Sequence, residues 1–250
     1  MAGLTFSSAP VARVRELLRS SSARAAEGAF VVEGITLIDE AIDSGLDVHS
    51  IFVTQDSREY RSVGDRFVCA TGVIERVSTT VAAQPMLAVV SIPDCDVPVN
   101  SSLIVWCEEL NDPGNLGTII RAAEAAGADA VALSGGSVDP WNPKVVRAAA
   151  GALFRLPVIR DVGCETLPGR LMATVMTGGQ SMYEADLISK TVIMLGNEAR
   201  GLSTASLRRS DGLITIPMPG PTESLNVAVA AALVVFEAAR QRREFVAPTE

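Results

Sequence analysis

Short apolar segments alternate with helical stretches along most of the chain, and this alternation constrains its fold more than any other feature. Apolar runs of strand length occupy Ala29–Glu33, Val48–Thr54, Met86–Ser91, Leu103–Cys107 and Ala130–Leu133. Further strands are predicted at Val158–Arg160, Met172–Met176, Val192–Leu195 and Leu213–Ile216. Strands separated by helices form βαβ units and parallel sheets. The sequence therefore predicts an α/β fold.

The helical stretches lie between these strands. Helices are predicted over 11–24, 35–44, near 57–64, and over 116–126. Asn142-Pro143 is a strong helix start, with Asn as N-cap and Pro at the first helical position. The last helix is predicted to begin at Ser224 or Asn226 and to end at about Arg243.

The segment from residue 93 to residue 101 reads as a linker. It combines two prolines with polar residues and has no periodicity. A chain of 250 residues that is 48% hydrophobic can build two cores. We therefore expect a small α/β domain over 1–96 and a second domain over 97–250.

Composition excludes several classes of protein. The longest apolar run, Val227–Phe236, is too short to span a bilayer, and the first ten residues lack the pattern of a secretory signal. The four cysteines show no C-x-x-C spacing, which favours reduced thiols in a cytoplasmic protein. The single histidine, His49, makes a histidine triad or a histidine-rich metal site improbable.

The net charge of −8 argues against a generally basic nucleic-acid-binding surface. Any RNA site must therefore be a local patch, because binding depends on the local field rather than on the sum of charges. Basic residues on the first helix and after Asn142-Pro143 are the candidate RNA contacts, against the alternative of a solvated basic face. These candidates are Arg13, Arg15, Arg19, Arg24, Lys144 and Arg147.

Three polar loops follow predicted strands, at 111–121, 195–202 and 216–227. The carboxyl ends of parallel strands share one edge of a sheet, so these loops predict one shared ligand site. Each loop also has a purely structural interpretation: a turn with Asn115 as helix cap, a tight glycine turn, and a helix capped by Ser224. None is a Walker loop or a G-x-G-x-x-G fingerprint.

Taken in order, the loops resemble the three motifs of the SpoU/TrmH branch of the SPOUT methyltransferases. The first resembles N-D-P-x-N-x-G-x-x-x-R, the second L-G-x-E-x-x-G, and the third I-P-M-x-G-x-x-x-S-L-N-V. Residues 139–154 also resemble a stretch of that family, and the likeness covers roughly 100–243. The segment from Phe30 to Ala41 resembles the small ribosomal-protein-like domain that precedes many SpoU catalytic domains.

This resemblance implies a parallel-sheet domain with a deep trefoil knot, a homodimer with its site near the interface, and no metal. It implies transfer of a methyl group from S-adenosylmethionine to a ribose 2′-hydroxyl of RNA. The implied cofactor-binding residues are Thr177, Gly178, Leu195, Gly196, Asn197, Gly201, Ile216, Met218, Ser224, Leu225 and Val227. The implied catalytic residues are Arg121, Asn115, Glu198, Ser224 and Asn226.

Two chemical roles are open to Arg121, general base or cationic stabiliser. A guanidinium pKa of about 12.5–13.8 means that deprotonation at pH 7 costs about 7 kcal/mol or more, which favours the cationic role. Arg121 would then hold an RNA phosphate and stabilise the developing alkoxide. Asn115 would orient the ribose or Arg121, and Glu198 would organise its own loop.

Several functions remain open at this point. A folded N-terminal domain of about 95 residues favours ribosomal RNA as substrate and resembles the thiostrepton-resistance methyltransferases too. A transfer-RNA 2′-O-methyltransferase is the alternative within the enzyme class. A non-catalytic RNA-binding protein that keeps the fold, and an unrelated α/β enzyme with a nucleotide cofactor, are the alternatives outside it.

Overall fold

The computed structural model describes residues 3–55, 60–61, 63–80 and 83–246, without the side chains of 244–246. The chain divides into two compact units. The first unit comprises the residues up to Asp94 together with Asp139–Phe154. The second comprises Cys95–Val138 and the residues from Arg155 onward. The sequence predicted one boundary near residue 96 and did not predict that 139–154 packs with the first unit.

The described residues form eight α-helices and eleven strands. The helices are α1 (Ala9–Arg19), α2 (Ser21–Glu27), α3 (Ile35–Asp43), α4 (Val73–Val77), α5 (Pro113–Ala125), α6 (Pro143–Ala149), α7 (Thr204–Arg209) and α8 (Val227–Val246). The strands are β1 (Ala29–Glu33), β2 (Val48–Val53), β3 (Asp65–Val68), β4 (Met86–Ser91), β5 (Leu103–Cys107), β6 (Ala130–Leu133), β7 (Val158–Ile159), β8 (Arg170–Thr174), β9 (Gln180–Ser181), β10 (Thr191–Leu195) and β11 (Gly212–Thr215). None of the helices in these described ranges is long and apolar enough to cross a membrane.

The sheet of the first unit is mixed rather than parallel. Its strand order is β1-β4-β2-β3, and β4 runs antiparallel to both of its neighbours. Only β2 and β3 are parallel. The expectation of a parallel sheet is therefore wrong for this unit, because the chain inserts β4 between two earlier strands.

The predicted helix over 11–24 is in fact two helices, α1 and α2. Ser20 separates them with an extended backbone, φ −113° and ψ 117°. Its hydroxyl accepts a hydrogen bond from the N–H of Ala23 at 3.1 Å, which caps α2. Within the helix predicted near 57–64, residues 57–59 and 62 lie outside the described residues, and the described residues 60, 61, 63 and 64 are not helical.

The returning segment 139–154 packs on β1 of the first unit. The centroid of the Trp141 ring lies 4.8 Å from the centroid of the Phe30 ring. A buried ion pair accompanies this packing, since the Arg24 guanidinium is 2.6 Å from the Asp139 carboxylate and the two side chains are 3% and 9% exposed. The structure thus corrects the prediction that Arg24 contacts RNA, because its charge is used inside the unit.

The second unit contains a seven-stranded parallel sheet in the order β7-β6-β5-β10-β8-β11-β9. Every residue of its neighbouring strands β5 and β10 is buried, which explains why they are continuous apolar runs. The predicted α/β fold with a parallel sheet is confirmed for this unit. The trefoil knot stays a prediction.

Candidate functional site

Four adjacent strands of the parallel sheet end at one edge. Leu195 of β10 lies opposite Cys107 of β5, and Ile214 of β11 lies opposite Thr174 of β8. Strands β8 and β10 are themselves parallel neighbours. The three motif loops and the loop containing Thr177 therefore leave the sheet at the same edge, where open α/β sheets bind ligands.

The carboxylate of Glu198 joins the second loop to the first. It accepts hydrogen bonds from the backbone N–H groups of Asn111 and Asp112 at 3.3 Å and 3.0 Å. It also accepts one from the side-chain amide of Asn115 at 3.2 Å. Glu198 was predicted to organise its own loop. It therefore also fixes the position of the residues at the start of α5.

Asn115 in turn joins the first loop to the third. Its side-chain oxygen accepts a hydrogen bond from the Asn226 amide at 2.9 Å. The oxygen of Asn226 accepts from the N–H of Ala228 at 2.9 Å, at the start of α8. The chain Glu198–Asn115–Asn226, which we call the amide bridge, therefore links all three motifs.

Helix capping and site formation are assigned to different residues. Asp112, not Asn115, caps α5, since its carboxylate accepts from the N–H of Asn115 at 2.8 Å. Asn226, not Ser224, caps α8. The capping interpretations of Asn115 and Ser224 are thus wrong, and the Asn115 side chain is free to join the amide bridge.

This division of roles predicts that substitution of Asp112 lowers mainly stability and substitution of Asn115 lowers mainly activity. We expect Asp112→Ala to lower the free energy of unfolding by about 1 kcal/mol, as for other N-cap losses. Asn115→Ala should change it by less than about 0.5 kcal/mol but should lower methyl transfer about tenfold to a hundredfold, because the loops lose their alignment. Urea unfolding and initial rates measure the two effects. Equal losses of stability in both variants would contradict the assignment.

The environment of Glu198 keeps it ionised. Burial alone would raise the pKa of its carboxyl group, but the hydrogen bonds from the first loop and from its own backbone outweigh burial and hold the pKa below its ordinary value. A carboxylate that accepts several N–H bonds is favoured in its charged form. Glu198 is therefore an anion at neutral pH and acts as a hydrogen-bond acceptor.

The second loop is held by a close backbone approach. A Cβ added to Gly196 would lie 2.1 Å from the backbone of Gly201, which itself has φ +67°. Asn197 is 8% exposed, donates to the carbonyl of Glu109 at 2.8 Å and accepts from the N–H of Ala199 at 3.0 Å. The side chain of Asn197 thus shapes the loop, and its backbone N–H and carbonyl are both hydrogen-bonded to Gly201, so its predicted cofactor contact stays a prediction.

The third loop offers unpaired backbone groups. Among the described residues, no hydrogen bond joins the backbone of 216–225 to another group of the chain. This loop contains the predicted cofactor contacts Ile216, Met218, Ser224 and Leu225. Unsatisfied backbone donors and acceptors are what the edge of an adenine ring requires.

A buried hydroxyl lies at the same edge of the sheet. Thr174 Oγ1, at the end of β8, is buried without a hydrogen-bond partner among the described residues. The exposed residues Thr177 and Gly178 follow it, and Gly178 has φ +81°. A buried hydroxyl without a described partner, followed by an exposed loop, fits a polar ligand at this position. Thr174 was not among the site residues predicted from the sequence.

Arg121 stands apart from the amide bridge. Its side chain is exposed on α5, and it makes no hydrogen bond or ion pair with any residue in the described ranges. Every other predicted catalytic residue except Ser224 is bound into the amide bridge. The guanidinium is therefore available to an external anion.

Two carboxylates at the end of β5 were missed by the sequence reasoning. Glu108 accepts hydrogen bonds from the N–H and the hydroxyl of Ser203 at 2.7 Å and 2.8 Å, which ties β5 to the start of α7. Glu109 adopts φ 46° and forms an ion pair with Arg200 of the second loop. The signal was available, because both glutamates directly follow an apolar strand, ahead of the first motif.

The cysteine next to this edge is a packing residue. Burial raises the pKa of the Cys107 thiol to about 12, and the charge of Glu198 adds to the effect. The thiol is therefore neutral at physiological pH. Within the described ranges, no group of His, Cys, Asp and Glu side chains is arranged to hold a metal ion.

The remaining RNA candidates all lie in the first unit. Arg13 is ion-paired with Glu27 at 2.6 Å, and Arg147 donates to the buried Glu33 at 3.1 Å. Arg19 and Lys144 are exposed. Arg13 and Arg147 are therefore bound to carboxylates, whereas Arg19 forms no ion pair with a described residue.

Comparison with known proteins agrees with this site. Residues 102–236 match the SpoU rRNA Methylase family, and residues 11–88 match the MRM3-like substrate binding domain. The first range contains all three motifs and the amide bridge. The chain belongs to the SpoU methylase family.

Individual relatives support the same assignment over nearly the whole chain. The 23S rRNA (guanosine(2553)-2′-O)-methyltransferase RlmP of Bacillus subtilis is 32% identical, covering 88% of this chain and 92% of its own. The 23S rRNA (uridine(2479)-2′-O)-methyltransferase of Streptomyces viridochromogenes is 31% identical, covering 90% and 88%. The crystal structure of the SpoU methyltransferase AviRb from the same organism, in complex with the cofactor AdoMet, superposes with a TM-score of 0.86 at 29% identity, covering 94% of this chain and 98% of that one.

Proposed function

We propose that this chain transfers the methyl group of S-adenosylmethionine to a ribose 2′-hydroxyl of ribosomal RNA. The amide bridge carries the proposal, because it joins all three family motifs at one edge of a parallel sheet. Arg121, an exposed guanidinium with no partner among the described residues, lies on the helix that this bridge anchors. Family membership supplies the class of reaction.

The second and third loops would hold the cofactor. The backbone of 216–225 would bind the adenine edge, and Thr174 Oγ1 would gain the partner that it lacks among the described residues. Gly196 and Gly178 allow the backbone to turn closely around a ligand. When bound, S-adenosylmethionine supplies a methyl group already activated on a sulfonium.

The residues of the chain align and stabilise the RNA. Arg121 holds an RNA phosphate through its guanidinium and offsets the negative charge that grows on the ribose oxygen as the hydroxyl proton leaves to solvent. Asn115 fixes the position of the first loop relative to the third, so that α5 presents Arg121 in a constant place. Ser224, exposed beside Asn226, would close the site over the ligand.

The first unit supports ribosomal RNA rather than transfer RNA as substrate. It matches a substrate-binding domain, and both named relatives act on 23S rRNA. These relatives modify different nucleotides, so the proposal extends to the class of RNA and not to a position. The cytoplasm is the proposed place of action.

Methyl transfer to purified RNA tests the proposal. The protein is incubated with S-adenosylmethionine labelled in its methyl group and with 16S rRNA, 23S rRNA or transfer-RNA transcripts, which are then digested to nucleosides. We expect a labelled 2′-O-methylnucleoside from a ribosomal transcript. Calorimetry with S-adenosylmethionine separates the non-catalytic alternative, since a protein that only binds RNA would show no cofactor binding. Label in a base rather than in a ribose would overturn the proposal.

We also propose that the chain forms a homodimer through α8. One face of this helix is buried, yet its opposite face carries Val229, Leu233 and Phe236, which are 48%, 40% and 51% exposed. Their spacing of four and three residues forms an apolar stripe. A stripe of this kind on the surface indicates an interface, and a second copy of the chain covers it in a symmetric dimer.

A charge placed in the stripe should separate the subunits. We expect Leu233→Glu to shift the protein from dimer to monomer at micromolar concentration, because a buried carboxylate would have no partner. Val99→Glu is the matched control, since Val99 is 90% exposed and lies outside α8. Analytical ultracentrifugation measures the mass of each variant. A wild-type monomer, or a Leu233→Glu variant that stays dimeric, would contradict the interface.

A further inference from the structure

Two arginines of the first unit share a single aromatic ring. The guanidinium carbon of Arg15, on α1, lies 4.0 Å from the centroid of the Phe6 ring. That of Arg76, on α4, lies 4.1 Å from the same centroid. The two charges are therefore no more than about 8 Å apart, and both are positioned by one side chain.

Neither charge is neutralised by a carboxylate. Within the described ranges, Arg15 and Arg76 form no ion pair, although Glu16 and Glu75 are their neighbours in sequence. Four other arginines of the same unit do have carboxylate partners, namely Arg13, Arg24, Arg61 and Arg147. Arg19 and Arg66 of the unit also form no ion pair with a described residue, so what distinguishes Arg15 and Arg76 is that one aromatic ring holds their two charges close together in a chain with net charge −8.

Folding alone does not account for this arrangement. The Nε of Arg15 is buried without a hydrogen-bond partner among the described residues, so this nitrogen loses hydration and gains no hydrogen bond in return. Two like charges at this separation also repel each other. A polyanion that binds both guanidiniums would relieve the repulsion between them.

The geometry suits phosphate groups. A guanidinium that stacks on an aromatic ring uses its planar face and keeps N–H groups at its edge for a second partner. Those edge groups match the oxygens of a phosphate in pairs. One turn further along α1, Arg19 is exposed and forms no ion pair with a described residue, which extends the positive surface.

We infer that Phe6, Arg15 and Arg76 form a binding site for the phosphodiester backbone of the RNA substrate. The inference rests on the proposed function, because it takes RNA as the substrate of the enzyme. Phe6 is the platform that fixes both cations before the RNA arrives, so less side-chain entropy is lost on binding. Contacts of this kind position the RNA and do not read its sequence.

Binding of a 23S rRNA transcript over a series of KCl concentrations tests the site. We expect the double variant Arg15→Gln, Arg76→Gln to bind about tenfold or more weakly at physiological salt. The slope of log Kd against log salt should fall by about 1.5, since two phosphate contacts are lost. The double variant Arg61→Gln, Arg170→Gln is the matched control, because it removes two equally charged arginines that are ion-paired and 46% exposed.

Three further measurements separate the possible outcomes. Calorimetry with S-adenosylmethionine and thermal unfolding check that each variant is folded. If the double variant Arg15→Gln, Arg76→Gln does not fold, the single variant Arg76→Gln replaces it, because Arg76 is exposed. Phe6→Leu keeps both charges and the packing, and should still weaken RNA binding severalfold. Wild-type affinity and slope in the arginine variants, or an equal loss in the control, would overturn the inference. If the wild-type protein transfers no methyl group, the proposed function is wrong. The comparison of RNA affinities among the variants would still test the binding site.

Discussion

Replacement of Arg121 by alanine should lower the rate of methyl transfer by at least about a hundredfold while leaving S-adenosylmethionine binding unchanged. The side chain is exposed and has no described partner in the chain, so its loss should not weaken the fold. Its charge acts only when RNA and a developing alkoxide are present. Arg121→Lys should also lose most of the activity, because an ammonium cannot reproduce the planar, paired donors of the guanidinium.

Single-turnover kinetics and calorimetry measure the two halves of this prediction. Arg170→Ala is the matched control, since Arg170 is also an exposed arginine of the second unit but starts β8 at the opposite edge of the sheet. It should keep near-normal activity. Near-normal turnover by Arg121→Ala would remove Arg121 from the mechanism.

Removal of the Glu198 carboxylate should cause the second large loss. In Glu198→Gln, an amide replaces the anion that accepts from Asn111, Asp112 and Asn115. We expect methyl transfer to fall about tenfold to a hundredfold because the first loop shifts relative to the second. Stability should fall by only about 1 kcal/mol, since these groups are partly exposed and regain hydrogen bonds to water.

The pH dependence of stability gives this prediction a signature. The pKa of Glu198 is lower in the folded protein than in the unfolded chain, so its contribution is complete above the ordinary glutamate pKa of about 4.3. That contribution is lost as pH falls through the lower folded-state value. The stability difference between wild type and Glu198→Gln should therefore shrink as the solution is acidified below pH 4.3.

Glu124→Gln provides the control for both measurements. Glu124 lies at the other end of α5, in a partly exposed ion pair with Arg155 at 2.8 Å. Ion pairs of this kind contribute about 0–1 kcal/mol. Glu124→Gln should keep its activity, and a Glu198→Gln variant with equal activity would contradict the structural role of the carboxylate.

Much of the second unit could be predicted from sequence because its signals are local. The strands β5 and β10 are buried at every residue, so each is a continuous apolar run that is easily recognised. Parallel strands also place their carboxyl ends together, which is why the sequence alone predicts a shared site. The family motifs then supplied the identity of the residues.

Other features depend on partners far along the chain. Arg24 resembled one of several solvated arginines on a helix, but its partner Asp139 lies 115 residues later. Asn115 and Asp112 are both good helix caps, and the choice between them depends on Glu198, 83 residues beyond Asn115. The direction of β4 likewise follows from its place between β1 and β2 and not from its own pattern. A local sequence pattern does not predict which distant residue a side chain or strand will pair with.

We propose above all that the loops at one edge of the sheet form a methyl-transfer site for ribosomal RNA. Mapping 2′-O-methyl groups across all ribosomal RNA of the native host tests it most directly, with the gene intact, deleted, or restored as wild type or Arg121→Ala. We predict that deletion removes methylation from at least one ribose, and that the wild type restores it while Arg121→Ala does not. If deletion leaves the map unchanged at every ribose, the protein does not methylate ribosomal RNA in that host.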